Sequence, residues 1–445
     1  MDEHLSRMAA EFGDRTAFSV VDVGSMTFAE WDGAANALAR RLLDSGLEPG
    51  ARVGIHLRPE LALRWLISYS AAHRAGGVAV PMNPRLAAAE VAHVLAHSGA
   101  TAVVADGDLV TSDLESGAGR LAVLIDAGAE ATALPPDGTT TQVLGWDDAT
   151  AGDRSPFQAR RDKDDLADIL YTSGTTGRPK GVAVRHSNGA IIGAVEPNWT
   201  GGGWVHASPL FTFAGIALVY TPMKLGLQVI YQPRFDADRW LRVVEEERPV
   251  AVFLVPAMAH LLIDHPRFDD ADLSSVTMCS VGSAPLAPYV VERLQAKMPD
   301  ALVSNNYGMT EAGSAYAIMP QGEAVKRPGS VGQIAPPAIV RIVDEHDEPV
   351  QPDVVAFVVL HPEAEATSEE LRAFGLEQLA DYKVPREFIF VDSLPRNPTG
   401  KVVKPELKAR LTAAPARLLE QPRTRSAAAR EPTGDRRMNS LLTRH

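Results

Sequence analysis

The chain has 445 residues, of which 45% are hydrophobic and 22% charged, the composition of a globular protein with a substantial buried core. This length exceeds what one hydrophobic core usually organises, so we expect at least two domains, one large and one small. Lysine and arginine total 43 against 56 aspartate and glutamate residues, and the resulting net charge of −13 argues against nucleic acid as a partner.

Cysteine content indicates the redox compartment, and hydropathy indicates whether the chain crosses a membrane. Cys279 is the single cysteine, which excludes an internal disulfide and favours a reducing, cytoplasmic compartment. We interpret it as a buried apolar residue rather than a reactive thiol. The first fifteen residues lack the apolar core of a signal peptide, and the longest apolar run, 249–263, contains two prolines and a histidine. We therefore expect no transmembrane helix.

Helices and strands alternate in the first third of the chain. Apolar residues recur at helical spacing from Phe28 to Leu43, and the pattern stops at Ser45 and Gly46. A strand-like run follows, and two further helical patterns each lead into another strand-like run. These segments are residues 51–57, 61–76, 77–83, 87–99 and 100–106. Alternation of this kind is typical of βαβ units and predicts a largely parallel sheet.

The same alternation returns after the middle of the chain. A helical pattern at 240–249 precedes a strand at 250–256, and another at 286–299 precedes a strand at 301–308. The sequence therefore predicts two similar layered halves within an α/β fold.

Beyond Gly329 the chain changes to short strand-like runs with turn residues, which predicts a small antiparallel unit and a domain boundary near Pro352. A compact α+β segment of strand, helix and strand follows, and the end of the chain is a basic tail that we expect to be disordered. The predicted division is a large domain at 1–352, with a partial third subdomain at 329–352, then a small domain at 353–411 and a tail at 412–445.

The strongest chemical signal is YTSGTTGRPKGV, residues 171–182, directly after a strand-like run. Three glycines and several hydroxyl side chains let the backbone turn tightly and point N–H and O–H groups inward, and one lysine adds a positive charge. Such a loop is suited to binding phosphate. It lacks the spacing of a Walker A motif and is followed by a strand, so it is not a P-loop.

This loop resembles the signature loop of the adenylate-forming, or AMP-binding, superfamily, and in particular its acyl-CoA synthetases. The resemblance implies a large domain of mostly parallel sheets layered by helices, followed by a small α+β lid. It also implies that the loop binds the β- and γ-phosphates of ATP, with Thr172 additionally near the metal. The residues that inherit this role by position are Thr172, Ser173, Gly174, Thr175, Thr176, Gly177 and Lys180.

A second motif, NNYGMTEAGS at 305–314, resembles the family's adenine and phosphate motif and follows a strand. By resemblance Tyr307 packs on the adenine, with Gly308 and Met309 beside it. Thr310 then bonds the α-phosphate and Glu311 holds Mg²⁺. The segment VGSAPL resembles the family segment beside the adenine, and its four candidate residues are Gly282, Ser283, Ala284 and Pro285.

A third segment, residues 206–226, is similar to the family segment that shapes the acyl pocket. Phe211, Thr212 and Gly215 are the candidate acyl contacts, and Thr212 stands where the family often has a histidine. The run could equally be a core helix, so acyl-chain length cannot be deduced from it.

The fourth segment, PRNPTGKVVK at 395–404, is similar to the family's C-terminal catalytic motif. The resemblance implies that Lys401 bonds the substrate carboxylate and the α-phosphate during adenylation. A positive charge there stabilises the charge that develops on the α-phosphate.

The pattern departs from the family at Asp353–Val354. Relatives carry roughly one hundred residues between the corresponding strands, although so short a connection is ordinary in itself. The resemblance implies that those residues include an aspartate bonding the ribose, an arginine near the nucleotide and the hinge of the small domain. None has a match here, so we expect weakened ATP binding and impaired turnover.

The implied function is that of a cytoplasmic, AMP-forming acid–thiol ligase of fatty-acid or lipid metabolism. It would use ATP, Mg²⁺ and coenzyme A to convert a carboxylic acid, most simply a fatty or other apolar acid, to its adenylate and then to acyl-CoA. Two alternatives stay open: a catalytically inactive nucleotide-binding remnant, and an adenylation domain that loads a carrier protein.

Overall fold

The computed structural model describes the larger part of the chain, namely residues 2–106, 121–128, 141–159, 161–172, 179–188, 192–313, 316–320, 322–327, 330–335, 338–341, 355–361, 364–378, 384–396 and 402–413. It divides into two compact units, residues 1–340 and 341–445. The boundary predicted at Pro352 and the tail at 412–445 lie almost entirely outside the described residues.

The first unit contains two large mixed sheets. Within the described segments, nine strands form sheet A, in the spatial order β16, β15, β14, β13, β12, β10, β11, β1 and β2. Their bounds are β1 Thr16–Val20, β2 Gly24–Thr27, β10 Gly203–His206, β11 Gln228–Tyr231, β12 Ala251–Leu254, β13 Met278–Gly282, β14 Leu302–Gly308, β15 Tyr316–Ile318 and β16 Gln333–Ile334. The central strands from β14 to β1 pair in parallel, and the antiparallel pairs lie at the two edges.

Sheet B has seven strands in that part of the chain, in the spatial order β7, β6, β5, β3, β4, β8 and β9. Their bounds are β3 Arg52–His56, β4 Val78–Pro81, β5 Ala100–Ala105, β6 Val123–Asp126, β7 Gln142–Gly145, β8 Leu166–Thr172 and β9 Lys180–Arg185. All pairs are parallel except the hairpin of β8 and β9 at one edge. The predicted α/β class with mostly parallel sheets is therefore confirmed.

Helices connect the parallel strands, as the alternation in the sequence predicts. In the first unit they are α1 Asp2–Phe12, α2 Phe28–Asp44, α3 Ala62–Arg74, α4 Ala88–Ser98, α5 Trp146–Thr150, α6 Phe213–Lys224, α7 Ala237–Glu247, α8 Pro256–Ile263 and α9 Pro288–Lys297. Helix α2 shows why the boundaries could be predicted. Thr27 accepts from the Glu30 N–H while the Glu30 carboxylate accepts from the Thr27 N–H, a capping box that starts the helix.

The largest hydrophobic cluster lies between helices α1 to α3 and the facing strands of both sheets. It includes the fully buried rings of Phe18, Phe28 and Trp31, and the Trp31 indole N–H donates to the Ser70 hydroxyl at 3.1 Å. A second cluster packs α7, α8 and α9 against sheet A. Cys279 belongs to it, and burial raises the pKa of its thiol to about 12, as expected of a structural residue.

The second unit is described in shorter pieces. Strands β17 Val355–Val358 and β18 Glu387–Phe390 pair in parallel, and helices α10 Ser368–Gln378 and α11 Lys404–Ala413 accompany them. These elements match the predicted α+β character of the small domain. Throughout the described segments of both units, no helix is long and apolar enough to cross a membrane.

Candidate nucleotide and acyl site

The ends of the β8–β9 hairpin place the first candidate residues. Thr172, the last residue of β8, pairs with Lys180, the first residue of β9, whose side chain is exposed. The predicted contacts Ser173, Gly174, Thr175, Thr176 and Gly177 lie outside the described residues. Thr172 and Lys180, the two candidate phosphate contacts that are described, are thus held side by side at the edge of sheet B.

Gly181 allows an aromatic ring to lie across this hairpin. A Cβ at Gly181 would lie 2.8 Å from Ile169 Cγ2 and 3.3 Å from the ring of Tyr171, its partner in the opposite strand. The Tyr171 hydroxyl is 2.8 Å from His97 Nδ1 on α4. The absence of a side chain at Gly181 therefore leaves room for the Tyr171 ring. The Tyr171 hydroxyl in turn links the end of β8 to helix α4.

The second motif lies where β14 ends. Tyr307 is half exposed, and its hydroxyl donates to the Met309 sulfur at 3.7 Å. Thr310 and Glu311 form the next element, a 3-10 turn, in which the Glu311 side chain is exposed. An exposed aromatic ring beside a hydroxyl and a carboxylate can receive a planar base and the polar groups attached to it.

The structure brings these two motifs together. Strand β9 lies against the 3-10 turn Thr310–Ala312, so the edge of sheet B meets the end of β14 in sheet A. Gly313 marks the contact: its φ is 57°, and a Cβ there would lie 3.1 Å from the carbonyl oxygen of Asn188, just beyond β9. Residues more than one hundred positions apart in the sequence therefore form one continuous surface.

The segment after β13 borders the same surface. Gly282 pairs with Asn306, and a Cβ at Gly282 would lie 3.1 Å from the Asn306 carbonyl oxygen. Ser283 has a φ of 73°, a left-handed conformation that L-residues other than glycine seldom adopt. Residues 283–285 are exposed. Backbone strain of this kind clusters at ligand sites, and the adenine contact of residues 282–285 stays a prediction.

Asn306 is a residue of this segment that sequence reasoning did not single out. Its side-chain Oδ1 is buried and makes no hydrogen bond within the described part of the chain. It directly precedes Tyr307 in β14, so its side chain projects from the opposite face of the strand to the exposed ring. The repeated asparagine before YG was the signal in the sequence.

Phe211 lines a small cavity between the two sheets. The lining also includes Leu57, Met82 and Tyr231, which lie at or just beyond the carboxyl ends of β3, β4 and β11. Trp65 on α3 lines it as well. Its volume is about 30 Å³, room for a single water molecule. An acyl group can enter only if the lining side chains move.

Thr212 and Gly215 shape the start of α6. The Thr212 hydroxyl donates to the Pro209 carbonyl at 2.8 Å and accepts from the Gly215 N–H at 3.0 Å, which makes it the helix N-cap. A Cβ at Gly215 would lie 2.0 Å from the Pro209 carbonyl oxygen. Both residues hold the turn that carries Phe211. Helix α6 is largely buried, and the acyl contacts of Phe211, Thr212 and Gly215 stay a prediction.

His206 is a second residue that the sequence did not single out. It ends β10, is fully buried, and lies with its ring centroid 5.2 Å from that of the cavity residue Tyr231. Burial lowers its pKa to about 3, so the ring is neutral at physiological pH. Nδ1 accepts from the Ser208 N–H at 3.2 Å, which leaves the proton on Nε2.

Lys401, the predicted C-terminal catalytic residue, lies outside the described residues. Its neighbours are described only in part: an isolated antiparallel bridge joins Arg396 to Val402. The implied role of Lys401 therefore remains a prediction.

Two side chains beside the hairpin could supply ligands to a Mg²⁺ ion. No group of three metal-binding side chains occurs within the described segments. Mg²⁺ bound to a nucleotide usually keeps several waters and needs only one or two protein ligands besides phosphate oxygens. Glu311, exposed beside β9, fits that requirement, with the Thr172 hydroxyl at the end of the adjacent hairpin.

Comparison with known proteins adds independent findings. The model of the AMP-binding enzyme family matches residues 5–361, and the model of the AMP-binding enzyme C-terminal domain matches residues 338–401. The inhibitor-bound crystal structure of the N-terminal domain of FACL13 from Mycobacterium tuberculosis has a similar fold. The TM-score is 0.66 at 24% identity, over 78% of this chain and 85% of that one.

Two curated relatives illustrate the sequence similarity. A feruloyl-CoA synthase from Amycolatopsis sp is 32% identical over 362 residues, which cover 78% of this chain and 69% of the relative. The 3-[(3aS,4S,7aS)-7a-methyl-1,5-dioxo-octahydro-1H-inden-4-yl]propanoyl:CoA ligase of Mycobacterium tuberculosis is 27% identical, over 91% of this chain and 97% of the relative. That second alignment spans 507 positions, more than this chain has residues.

Proposed function

This chain belongs to the AMP-binding enzyme family, and from that premise we propose that it activates an apolar carboxylic acid with ATP and transfers the acyl group to coenzyme A. The observation that carries the proposal is the meeting of the β8–β9 hairpin with the 3-10 turn after β14. A nucleotide placed there has a cation for its phosphates at one end and an exposed aromatic ring for its base at the other.

In the proposed reaction, an oxygen of the substrate carboxylate attacks the α-phosphorus of ATP and pyrophosphate leaves, which gives the acyl-adenylate. The thiolate of coenzyme A then attacks the acyl carbon, and AMP leaves as acyl-CoA forms. Both steps develop negative charge on phosphate oxygens, so fixed positive charges and hydrogen-bond donors accelerate them.

The residue roles follow from position and from the family resemblance. Lys180 and Thr172 hold the β- and γ-phosphates together with residues 173–177, and Tyr307 stacks on the adenine. Thr310 bonds the α-phosphate, and Lys401 bonds the carboxylate in the first step. Glu311 would hold Mg²⁺, with Thr172 nearby, and the ion would supply positive charge to the triphosphate.

The proposed substrate is a fatty or other apolar acid, because the cavity beside Phe211 is lined mainly by apolar and aromatic side chains. The named relatives are, by their names, a feruloyl-CoA synthase and a ligase of an octahydroindenyl-propanoyl group to coenzyme A. The cavity is nearly closed, so acceptance of an acyl group requires Phe211 or Leu210 to move. The single cysteine supports a cytoplasmic location.

We further propose that turnover is impaired by an internal deletion at Asp353–Val354. The alignment to the second relative has at least 62 positions without a counterpart in this chain, which supports a missing segment. In the proposed division this junction lies at the start of the lid, 353–411, directly after the large domain, 1–352. If the segment held the ribose-binding aspartate and the hinge, a non-catalytic nucleotide-binding remnant becomes the leading alternative.

Acid-dependent exchange of radiolabelled pyrophosphate into ATP tests the function. We expect exchange with at least one member of a panel of linear fatty acids, aryl acids and cyclic keto acids. Lys180→Met should reduce kcat/KM for ATP about a hundredfold, because it removes a charge from the phosphate site. Lys326→Met is the matched control, since that exposed lysine pairs only with Glu323 in the described structure.

The other outcomes separate the alternatives. No exchange with any acid, from a chain that still binds ATP, favours the remnant. Exchange without acylation of coenzyme A, but with acylation of a pantetheine carrier protein, favours a carrier-loading adenylation domain.

A further inference from the structure

A chain of buried ionisable side chains runs from helix α1 to strand β8. His73 on α3 lies between Asp168 of β8 and Asp2 of α1, at 3.1 Å from Nε2 to Asp168 Oδ1 and 3.7 Å from Nδ1 to Asp2 Oδ2. All three residues are at most 2% exposed. Nε2 is also 3.0 Å from the Ala167 carbonyl oxygen, which can only accept, so Nε2 carries a proton.

Arg161 completes this network. Its guanidinium donates to Asp2 Oδ2 at 3.1 Å and to the His73 carbonyl oxygen at 2.9 Å. Burial alone would raise the pKa of Asp2, but the charges of His73 and Arg161 more than offset it and lower that pKa to about 2. Asp2 is therefore ionised at physiological pH. We call Asp2, His73, Arg161 and Asp168 the buried network.

Stability alone does not explain such an arrangement. Desolvating charged groups costs several kcal/mol each, and apolar side chains of similar size often serve a core equally well or better. What charged groups add is a fixed relative placement of the elements that carry them, since each partner has one acceptable geometry. The buried network fixes β8 relative to helices α1 and α3.

Strand β9 is held by the same histidine. His186 follows β9, and its ring lies edge-on to that of His73, with centroids 5.3 Å apart. Burial, together with the nearby His73 and Arg161, lowers the pKa of His186 to about 3, so this ring stays neutral. His73 therefore contacts a residue of β8, Asp168, and the residue directly after β9, His186. Asp168 precedes Thr172 by four residues, about 13 Å along an extended strand.

We propose that the buried network positions the β8–β9 hairpin for nucleotide binding, so that Asp2 of the amino-terminal helix sets the affinity for ATP through Thr172 and Lys180. This inference rests on the proposed function. Asp2, His73 and Asp168 are positioning residues here, because the network reaches the nucleotide only through the ends of the two strands. The phosphate motif at 171–182 contains none of these residues. Only Asp168 lies on β8, the strand that leads into the motif.

The test is ATP affinity of the full chain with Asp2→Asn, which keeps the shape of the side chain and removes its charge. We expect the Kd for ATP to rise about tenfold, because a small displacement of phosphate-binding groups is costly. KM for the acid and kcat at saturating ATP should stay unchanged. Glu3→Gln, an exposed carboxylate on the same helix turn, should leave all these values at their wild-type level.

Two further measurements separate positioning from general stability. The double variant Asp2→Asn with Asp168→Asn should weaken ATP binding no more than the stronger single variant, because members of one network are not additive. Amide hydrogen exchange should become faster in 166–172 and 180–185 and stay unchanged in β12 and β13. If Asp2→Asn does not fold, Arg161→Gln is the substitute. It removes the ion pair with Asp2 at a residue that is partly exposed to solvent, and it should have the same effects.

Wild-type ATP affinity and hairpin exchange in a folded Asp2→Asn variant overturn this inference and leave the proposed function intact. Equal losses of affinity for ATP and for the acid, accompanied by a lower melting temperature, also overturn it, because they indicate a purely structural role. A wild-type chain with no measurable affinity for ATP overturns the inference and the proposed function together.

Discussion

At the residue scale, Ser283 carries identifiable backbone strain beside the proposed adenine site. A left-handed conformation costs an L-residue about 1–2 kcal/mol, and a β-branched side chain more. Such a cost persists only where the surroundings hold the backbone in place, here between Gly282, which packs against β14, and the exposed residues 284–285. The strain can therefore be tested separately from the chemistry.

We expect Ser283→Gly to keep or slightly raise the melting temperature, because glycine adopts a φ of 73° without steric cost. Ser283→Val should destabilise the chain by about 2 kcal/mol and weaken ATP binding. Ser25→Val on the exposed strand β2, where β-branched residues are favoured, is the control. Equal melting temperatures for Ser283→Val and Ser25→Val would contradict the assigned strain.

His206 gives the unfolding of the chain a specific pH dependence. Its pKa is about 3 when folded and near 6.5 when unfolded, so the unfolded state takes up the proton first as the pH falls. The neutral ring imposes no penalty above pH 6.5, and stability is lost as the pH falls from there towards 3. Between pH 6.5 and 5 the loss is roughly 2 kcal/mol.

His206→Asn should therefore show a smaller drop in melting temperature between pH 7 and pH 5 than the wild type, whatever its absolute stability. Asparagine can still accept from the Ser208 N–H but does not titrate. His93→Gln, on the half-exposed face of α4, should leave the wild-type drop unchanged. The same drop in all three proteins would show that His206 is not buried as described.

At the element scale, α2 and α3 are joined by a buried ion pair adjacent to the buried network. The Arg74 guanidinium donates to Asp32 Oδ1 and to Asn36 Oδ1, both at 2.7 Å, and is about 1% exposed. Removing one partner of a buried pair leaves an uncompensated charge, whereas replacing both with apolar groups is often neutral.

Arg74→Met should accordingly cost about 3–5 kcal/mol of stability, and the double variant Arg74→Met with Asp32→Leu should recover most of it. Arg239→Met removes a partly exposed arginine that pairs with Asp22 and Glu246, and should cost about 1 kcal/mol or less. Chemical denaturation of the four proteins measures these differences. A double variant as unstable as Arg74→Met alone would contradict the account.

Much of the element pattern could be predicted because local signals agree with the tertiary structure. The helix expected from Phe28 is found at Phe28–Asp44, where periodicity, a capping box and a terminal glycine all coincide. The alternation of helix and strand likewise predicted parallel sheets, and both sheets are mainly parallel. The phosphate motif was found because its residue order is specific, but its central residues lie outside the described structure.

What the sequence could not reveal depends on distant residues. Nothing local distinguishes Asp2 or His73 from surface residues of an amphipathic helix, and only the packing of α1 and α3 against β8 turns them into a buried network. His206 reads as an ordinary strand residue until β11 brings Tyr231 beside it. The sequence predicts Thr212 as an acyl contact. It does not predict the hydrogen bonds that make Thr212 a helix cap, because these depend on the backbone path of residues 209–215.

At the scale of the whole molecule, we propose that a deletion at Asp353–Val354 limits activity, through a missing ribose contact and a missing hinge. A carboxylate that accepts hydrogen bonds from both ribose hydroxyls contributes about 3 kcal/mol, so its loss weakens ATP binding about a hundredfold. Loss of a hinge also restricts the small domain, which in this family serves two successive steps.

Inserting the corresponding segment of the Mycobacterium tuberculosis relative between Asp353 and Val354 should therefore tighten ATP binding about a hundredfold and raise the rate of acyl-CoA formation. A glycine and serine linker of equal length is the control and should change neither quantity. Equal affinities for ATP in the original chain and in both insertions would show that this chain lacks nothing needed for nucleotide binding.

We propose that one nucleotide spans the hairpin end at Thr172 and Lys180 and the exposed ring of Tyr307. A crystal structure of the chain with a non-hydrolysable ATP analogue would test this placement. We expect the adenine against the Tyr307 ring and the terminal phosphates within hydrogen-bonding distance of Thr172 and Lys180. A nucleotide bound elsewhere, or one that contacts only one of these two motifs, would contradict it.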